Sequence, residues 1–371
     1  MDIGDLVSGK PSASRADTGG SIPSSPAIDW DNVQRMVDQK YISVQKHPTE
    51  DLYIYNYTQK AQFDNVWNNE TLQCRGLIAD AGKKIIARPF RKFFNLQEAI
   101  DKGEQIPLEE FTVQDKFDGS LGILYWIGEK PFLATRGSFT SDQAKVGTEL
   151  LWGDRNWFED LKKEYTYLFE IIYPENRIVV DYKGLRQTVL LAVINTVTGE
   201  ELDIYDECAG FAFAGHKEDI KDYKTLPTKE NAEGYVIRFK NGQRYKVKFD
   251  EYVRLHRLVT GVNARRIWDM LRNNQPMDEL LERVPDEFFS WVKKTRDNMV
   301  GEFKITEHVC KIAVDVVKRL PTRKEQADYI VTQGKYAGIM FRMLDGKDYA
   351  DGIWKLLRPK HEVPFKVDLD A

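Results

Sequence analysis

The chain has 371 residues, 42% hydrophobic and 30% charged, the proportions of a folded soluble protein with room for two domains. A formal net charge of −4 excludes a uniformly basic nucleic-acid coat, so any contact with RNA or DNA has to come from a local patch. There is no apolar secretory core at the N-terminus and no run near the roughly 20 apolar residues of a membrane span; three scattered cysteines (Cys74, Cys208, Cys310) suit a reducing cytoplasm better than a disulfide framework.

Residues 1–26 are rich in Ser, Gly, Pro, Ala and Asp, which bury too little apolar area to offset their ordering entropy, and they read as a mobile tail. From 27 to 255 short β-type runs alternate with Gly, Asn, Asp and Pro, for example Leu52–Tyr57, Tyr167–Tyr173 and Gln187–Val193. One helix is expected near Asp142–Lys163. This is an α+β pattern built on antiparallel sheets rather than a strand–helix alternation. Near residue 255 the texture turns helical. Ile267, Met270 and Leu271 form one stripe, and Leu280, Leu281 and Val284 a second. Pro285-Asp286-Glu287 opens a further helix with acidic residues in its first turn. Val309, Ile312, Ala313, Val316 and Val317 form a third stripe, ended by Pro321. Residues 256–371 therefore read as an all-α C-terminal domain of about five helices. No internal repeat is visible, and nothing in the sequence calls for an obligate interface, so a monomer is expected.

The most informative string is Lys116-Phe117-Asp118-Gly119-Ser120. A β-prone run containing Phe111 and Val113 delivers a lysine to a Gly-Ser turn, and a second β-prone run, Leu121–Trp126, follows. Taken alone, Lys-x-Asp-Gly is compatible with an ordinary hairpin turn. Other chemistry-bearing strings stand around it in order. Arg75-Gly76 closes a loop before a hairpin, and Arg88-Pro89-Phe90-Arg91-Lys92-Phe93-Phe94-Asn95 follows. Downstream come Thr135-Arg136-Gly137-Ser138, Phe169-Glu170-Ile171, Pro174-Glu175-Asn176-Arg177-Ile178-Val179, Glu233-Gly234 and Tyr245-Lys246-Val247-Lys248. Lys246 and Lys248 alternate with apolar neighbours, so on a strand both ammonium groups share a face; a polyphosphate between them turns repulsion into attraction. Glu170 lies inside an apolar strand, where a lone carboxylate is costly unless it is paired or bound to metal.

This order resembles the covalent nucleotidyltransferase superfamily of ATP-dependent ligases and mRNA capping enzymes, and within it the RNA ligase 1 family, of the T-even phage tRNA-repair type. Cys74-Arg75-Gly76, the string from Arg88 to Asn95, the string from Pro174 to Val179, and Leu344–Tyr349 with Ile353-Trp354-Lys355 carry the closer likeness, which spans about residues 50–360. It implies an antiparallel-sheet adenylyltransferase domain followed by a helical RNA-specificity domain. It also implies an enzyme that joins RNA ends carrying a 5′-phosphate and a 3′-hydroxyl, tRNA among them, in the cytoplasm of a bacterial or phage-infected cell.

The resemblance assigns roles residue by residue. Lys116 is the nucleophile that attacks the α-phosphorus of ATP and carries AMP, and Asp118 orients groups near that phosphate. Glu170 and Glu233 hold Mg²⁺ (or Mn²⁺), directly or through its waters, and Glu170 also suits a contact with the ribose. Arg75, Lys92, Lys246 and Lys248 clamp the triphosphate, Tyr57 and Tyr252 line the ATP site, and Arg136 takes the 5′-phosphate of the RNA. Asp278-Glu279 either holds a second Mg²⁺ or simply favours a helix N-terminus. Lys293-Lys294-Thr295-Arg296 and Arg319, Arg323 and Lys324 suit the RNA backbone, or else are solvated helix faces. A free lysine, with its ordinary pKa near 10.4, is a poor nucleophile at neutral pH, so cationic neighbours are needed to expose the amine. The pattern departs from expectation at Phe117, where a polar residue would also fit, and at Leu190–Ile194, which offers no aromatic ring to the base. A DNA ligase or capping enzyme shares these motifs but usually continues into a β-rich domain where this chain turns helical. An inactive RNA-end-binding module would be expected to have lost one of Lys116, Glu170, Glu233, Lys246 or Lys248, and all five are present.

Overall fold

The computed structural model describes residues 6–7, 26–153, 160–207, 210–260, 263–277 and 286–359. The chain divides into two compact units, Met1–Val259 and Thr260–Ala371. The change of texture near residue 255 falls inside a continuous helix, Asp250–Thr260, and the division comes at that helix's end. Of the segment expected as a tail, only Leu6–Val7 and Pro26 are described, and Leu6–Val7 is a short strand paired antiparallel with Phe213–Ala214.

The first unit is α+β, with three sheets. In the N-terminal sheet Ile42–Lys46, Leu52–Tyr57, Arg75–Asp80 and Ile85–Ala87 pair antiparallel in chain order. The helix Trp30–Asp38, capped by Asp29, buries Val33 and Met36 against it. Arg75 is thus the first residue of a strand and not the end of a loop. The large sheet runs in the order Leu6–Val7, Phe213–Ala214, Gln187–Asn195, Tyr165–Ile172, Ser120–Ile127 and Lys130–Ala134, with Glu201–Leu202 paired to Gln187–Asn195. The third sheet has the order Phe94–Asn95, Arg244–Lys248, Gly234–Phe239, Phe111–Lys116, antiparallel except for its first pair. Its alternation is that of a half-buried sheet: Val113, Tyr235, Ile237 and Tyr245 pack into one core on one face. The helix expected over Asp142–Lys163 starts at a Ser141 cap and ends at Trp152; residues 161–164 are not helical and lead into Tyr165–Ile172.

The second unit contains five α-helices among the described residues: Ala264–Arg272, Asp286–Val317, Arg323–Thr332, Ala337–Leu344 and Ala350–Leu356. Ile267 and Met270 are buried as their stripe predicts, joined by Trp268, whereas the stripe Leu280, Leu281, Val284 lies outside the described residues. The helix opening at Asp286 and the stripe at Val309–Val317 belong to one element of 32 residues. Its buried side is Cys310, Val314 and Val317; Val309, Ile312 and Val316 are 48%, 54% and 45% exposed, so the stripe read from the sequence points largely outward. Arg323 pairs with Asp345 and Arg296 with Asp297, while Lys294, Arg319 and Lys324 are exposed.

One glycine fixes the register of the third sheet. Gly234 has φ +149°, and a Cβ there would lie 1.9 Å from the Val247 carbonyl oxygen. Gly234→Ala is expected to destabilise the first unit by at least about 2 kcal/mol, read as a lower midpoint in denaturant unfolding; an unchanged midpoint would show that the strand yields freely.

Candidate active site

Lys116 ends the strand Phe111–Lys116 of the third sheet and Ser120 begins the strand Ser120–Ile127 of the large sheet, so only Phe117-Asp118-Gly119 separate the two sheets here. The lysine therefore stands at their seam. Gly234 is the register partner of both Lys116 and Lys248, which brings the two lysines to either side of the Glu233-Gly234 corner. Glu233, 3% exposed, accepts from Lys116 Nζ at 2.7 Å through one carboxylate oxygen and from Lys248 Nζ at 2.9 Å through the other. Burial alone would raise its pKa; the two ammonium groups outweigh that and hold the carboxyl below the ordinary carboxylate value. Removing one member of such a buried pair costs roughly 3–5 kcal/mol, because a charge is left without compensation.

Glu170 sits in the middle of the large sheet, opposite Leu121 on one side and Val189 on the other. Burial pushes its carboxyl up to about 8, reinforced by Glu233 and Asp118 and opposed by Lys116. Gly119 permits this closeness, since a Cβ there would be 2.6 Å from the Ile171 carbonyl oxygen and 3.1 Å from Glu170 Cγ. The sequence suggested a turn glycine here; the structural reason is close approach of two strands.

Asp118 is a strut. One carboxylate oxygen accepts from the backbone amides of Val179 and Val180, both at 2.9 Å, and the other accepts from the Tyr252 hydroxyl at 2.7 Å. The Asp118 amide in turn donates to the Tyr182 hydroxyl at 2.7 Å. Tyr252 is buried with its hydroxyl committed to Asp118, and Lys248 Nζ lies 5.0 Å from its ring centroid. Phe117, the departure in the motif, is buried with Ile172, Val189 and Ala214 and anchors the turn from below. A cavity of ≈ 170 Å³ lies beside this turn under the 177–185 loop, smaller than the roughly 300 Å³ at which small-molecule pockets begin.

Tyr57, Arg75, Lys92 and Arg136 form a second group, of which Tyr57 and Arg75 belong to the N-terminal sheet. Arg136 Nη1 donates to the Tyr57 hydroxyl at 2.8 Å, and its guanidinium lies over the Tyr57 ring. Lys92 Nζ sits between the rings of Tyr57, Trp67 and Phe94, at 5.4, 5.6 and 5.3 Å from their centroids. Arg75 lies over Phe93, and Gly76 (φ +90°) lets this strand meet the Arg136 backbone, where a Cβ would come within 3.1 Å. The third sheet connects to this group through the pairs Tyr245↔Phe94 and Lys246↔Asn95. Trp67, Tyr182 and the Asn176–Ser120 hydrogen bond are additions that no local pattern announced. Asp278 lies outside the described residues. Among the described residues, no group of three or more His, Cys, Asp or Glu comes together as a metal site. Glu170 and Glu233 are near enough to act on each other's charge.

Fold and site together define an α+β domain that concentrates cations on the face of one sheet, with a lysine at the seam to a second. Residues 73–253, just under half of the chain, match the family profile described as RNA ligase. It is 24% identical to the RNA ligase of Rhodothermus phage RM378, over 64% of this chain and 70% of that protein. It spans 70%, 63% and 75% of the length of three of the relatives it matches. Among solved structures, an archaeal ATP-dependent RNA ligase aligns over 87% of this chain and 97% of its own, with 12% identity and a TM-score of 0.43.

The Glu170 carboxyl makes a prediction about stability. Its value is about 8 in the folded chain, against 4.5 ordinarily. Between those values the native state holds a proton that the unfolded state has lost, so stability falls as pH rises through this window. Glu170→Gln removes that slope. Its unfolding free energy should gain on the wild type steadily from about pH 5 to pH 8, by an increment on the order of a few kcal/mol read as a rising melting temperature relative to the wild type, and level off above. Parallel melting curves across that range would refute the assignment.

Proposed function

We propose that the protein is an ATP-dependent RNA ligase that joins 5′-phosphate and 3′-hydroxyl RNA ends, acting in RNA repair with tRNA as a candidate substrate. The observation that carries the reading is Lys116 at the seam of two sheets, ion-paired to Glu233 and facing Lys248, within the RNA ligase segment. In the first step the Lys116 Nζ lone pair attacks the α-phosphorus of ATP. The α–β phosphoanhydride bond breaks and pyrophosphate leaves with the electron pair, giving lysyl-AMP. AMP then passes to the RNA 5′-phosphate, and attack by the 3′-hydroxyl on the activated phosphate seals the break and releases AMP.

The geometry supports a division of labour among the residues. Glu233 orients Lys116, since its other oxygen is fixed by Lys248. Lys248 and Lys246, with Arg75 and Lys92, supply positive charge where the triphosphate gains negative charge. Asp118 holds the lysine turn through Tyr252 and the 179–180 backbone rather than reaching a phosphate itself. Arg136, placed by Tyr57, is the candidate for the RNA 5′-phosphate. Glu170 and Glu233 fit Mg²⁺ or Mn²⁺, because such a cation keeps most of its waters and takes one or two carboxylates plus phosphate oxygens. Glu170 ionises more readily beside positive charge, which matches a carboxyl otherwise kept protonated by burial. The cation would neutralise phosphate charge and favour the unprotonated Lys116 amine. Lys293, Lys294, Arg296, Arg319, Arg323 and Lys324 of the helical unit are candidates for the RNA backbone, and a cytoplasmic monomer is the setting we propose.

Incubation with α-³²P-labelled ATP and Mg²⁺ tests this reading. Wild-type protein should take covalent label, and Lys116→Ala should lose it by at least about three orders of magnitude. Label from GTP in place of ATP would favour a capping-type transferase. Absence of label on the wild type would reject the enzyme reading altogether.

A further inference from the structure

Among the described residues, Asn95 is the exception in the set of Asp, Asn, Ser and Thr helix caps. It stands at the cap position before Leu96–Asp101 with extended backbone (φ −66°, ψ 143°), yet its side chain makes no capping hydrogen bond. Asp29, Thr58, Asn68, Ser141, Asn263 and Thr322 occupy the same position on other helices, and each accepts from a backbone amide of its own helix. The Asn95 Oδ1 atom is instead buried without a hydrogen-bond partner. Buried acceptors are rarely left so, because the desolvation cost goes unrecovered.

The sheet explains where that oxygen belongs. Asn95 is the register partner of Lys246 in the parallel pair, and Lys246 is that of Val236. Paired residues put their side chains on one face, and residues two apart along a strand share it. Asn95 therefore stands on the face that carries Lys116, Lys246 and Lys248, opposite the core face of Tyr235, Ile237 and Tyr245. A carboxamide oxygen is not another phosphate clamp, since phosphate oxygens also accept. It suits a donor arriving with the phosphates, namely a ribose hydroxyl or a water on the hydrated divalent cation that a triphosphate carries.

We infer that Asn95 is a nucleotide-contacting residue whose Oδ1 accepts a hydrogen bond from the incoming nucleotide–cation complex. The inference rests on the ATP reading above and deepens it with a residue outside the lysine–glutamate set. Calorimetric binding of α,β-methylene-ATP, which cannot transfer its nucleotidyl group, tests it without catalysis. Asn95→Leu should weaken binding by about tenfold or more, the effect of one hydrogen bond to a charged ligand. Its ligand-free melting temperature should stay equal or rise, because an unsatisfied buried acceptor has been removed; a structural asparagine would instead lower it. Asn95→Gln, which keeps a carboxamide acceptor without adding charge, should retain more of the wild-type affinity than Asn95→Leu; equal losses in the two variants would count against the inference.

Two further arms identify the donor. If the loss vanishes with 2′- or 3′-deoxy analogues, the donor is the ribose hydroxyl. If it vanishes when EDTA replaces Mg²⁺, the donor is a metal-bound water. Wild-type binding matched by Asn95→Leu overturns the inference and leaves the ligase reading standing, whereas failure of the wild type itself to bind overturns the ATP reading.

Discussion

A buried carboxylate shared by two ammonium groups is the constraint around which the site is arranged. Glu233 can be 3% exposed and ionised only because Lys116 and Lys248 each occupy one of its oxygens. The same arrangement keeps two lysines close together, which their mutual repulsion would otherwise forbid. Register delivers the three groups: Gly234 pairs with Lys116 on one side and Lys248 on the other, and its missing Cβ lets the Val247 carbonyl approach. The charge triad and the glycine are thus one device. The glycine sets the distance, and the carboxylate makes the distance tolerable.

The short passage between two sheets extends this device to the second carboxylate. Three residues after Lys116 the chain enters the large sheet, and Gly119 lets that strand lie against Glu170 and Ile171. Asp118 ties the passage to the 179–180 backbone and to the helix carrying Tyr252, so the lysine turn is held from two elements distant in sequence. Glu170 is left in a different electrostatic state from Glu233, though the two act on each other's charge. One carboxyl is kept ionised by direct ammonium contacts; the other is driven toward its protonated form by burial. Two like residues with divergent protonation give the site an anion that orients Lys116 and a second carboxyl whose charge depends on its surroundings.

Much of this was legible in the sequence because it depends on local chemistry. The strands bearing Lys116, Glu170 and Lys246–Lys248 announce themselves by alternation and β-branched content, and they appear within a residue or two of the positions read. The ordered spacing of the lysine, arginine and glutamate strings pointed to the RNA ligase family, and the family match covers residues 73–253. The misreadings have a common origin. The long helix Asp286–Val317 carries apolar side chains on more than one side, so period alone selected Val309, Ile312 and Val316 although the partner helices bury Cys310, Val314 and Val317. Arg75 looked like a loop residue because an arginine before a glycine resembles a turn, yet pairing with Asn56 places it in a strand.

The sequence by itself determined most of the element types and the residue kinds gathered at the candidate site, since these follow from periodicity and from the side chains present. It could not determine which of those residues meet. Asp118 reads as a residue that orients groups near a phosphate until the fold brings Val179, Val180 and Tyr252 to its oxygens; Lys92 reads as one more cation until Tyr57, Trp67 and Phe94 surround it. Contacts between residues tens or hundreds of positions apart depend on strand register and sheet order, and neither is written in any local pattern. Tertiary structure also decided charge: Glu170 and Glu233 are the same amino acid, and only the groups around each carboxyl set its protonation.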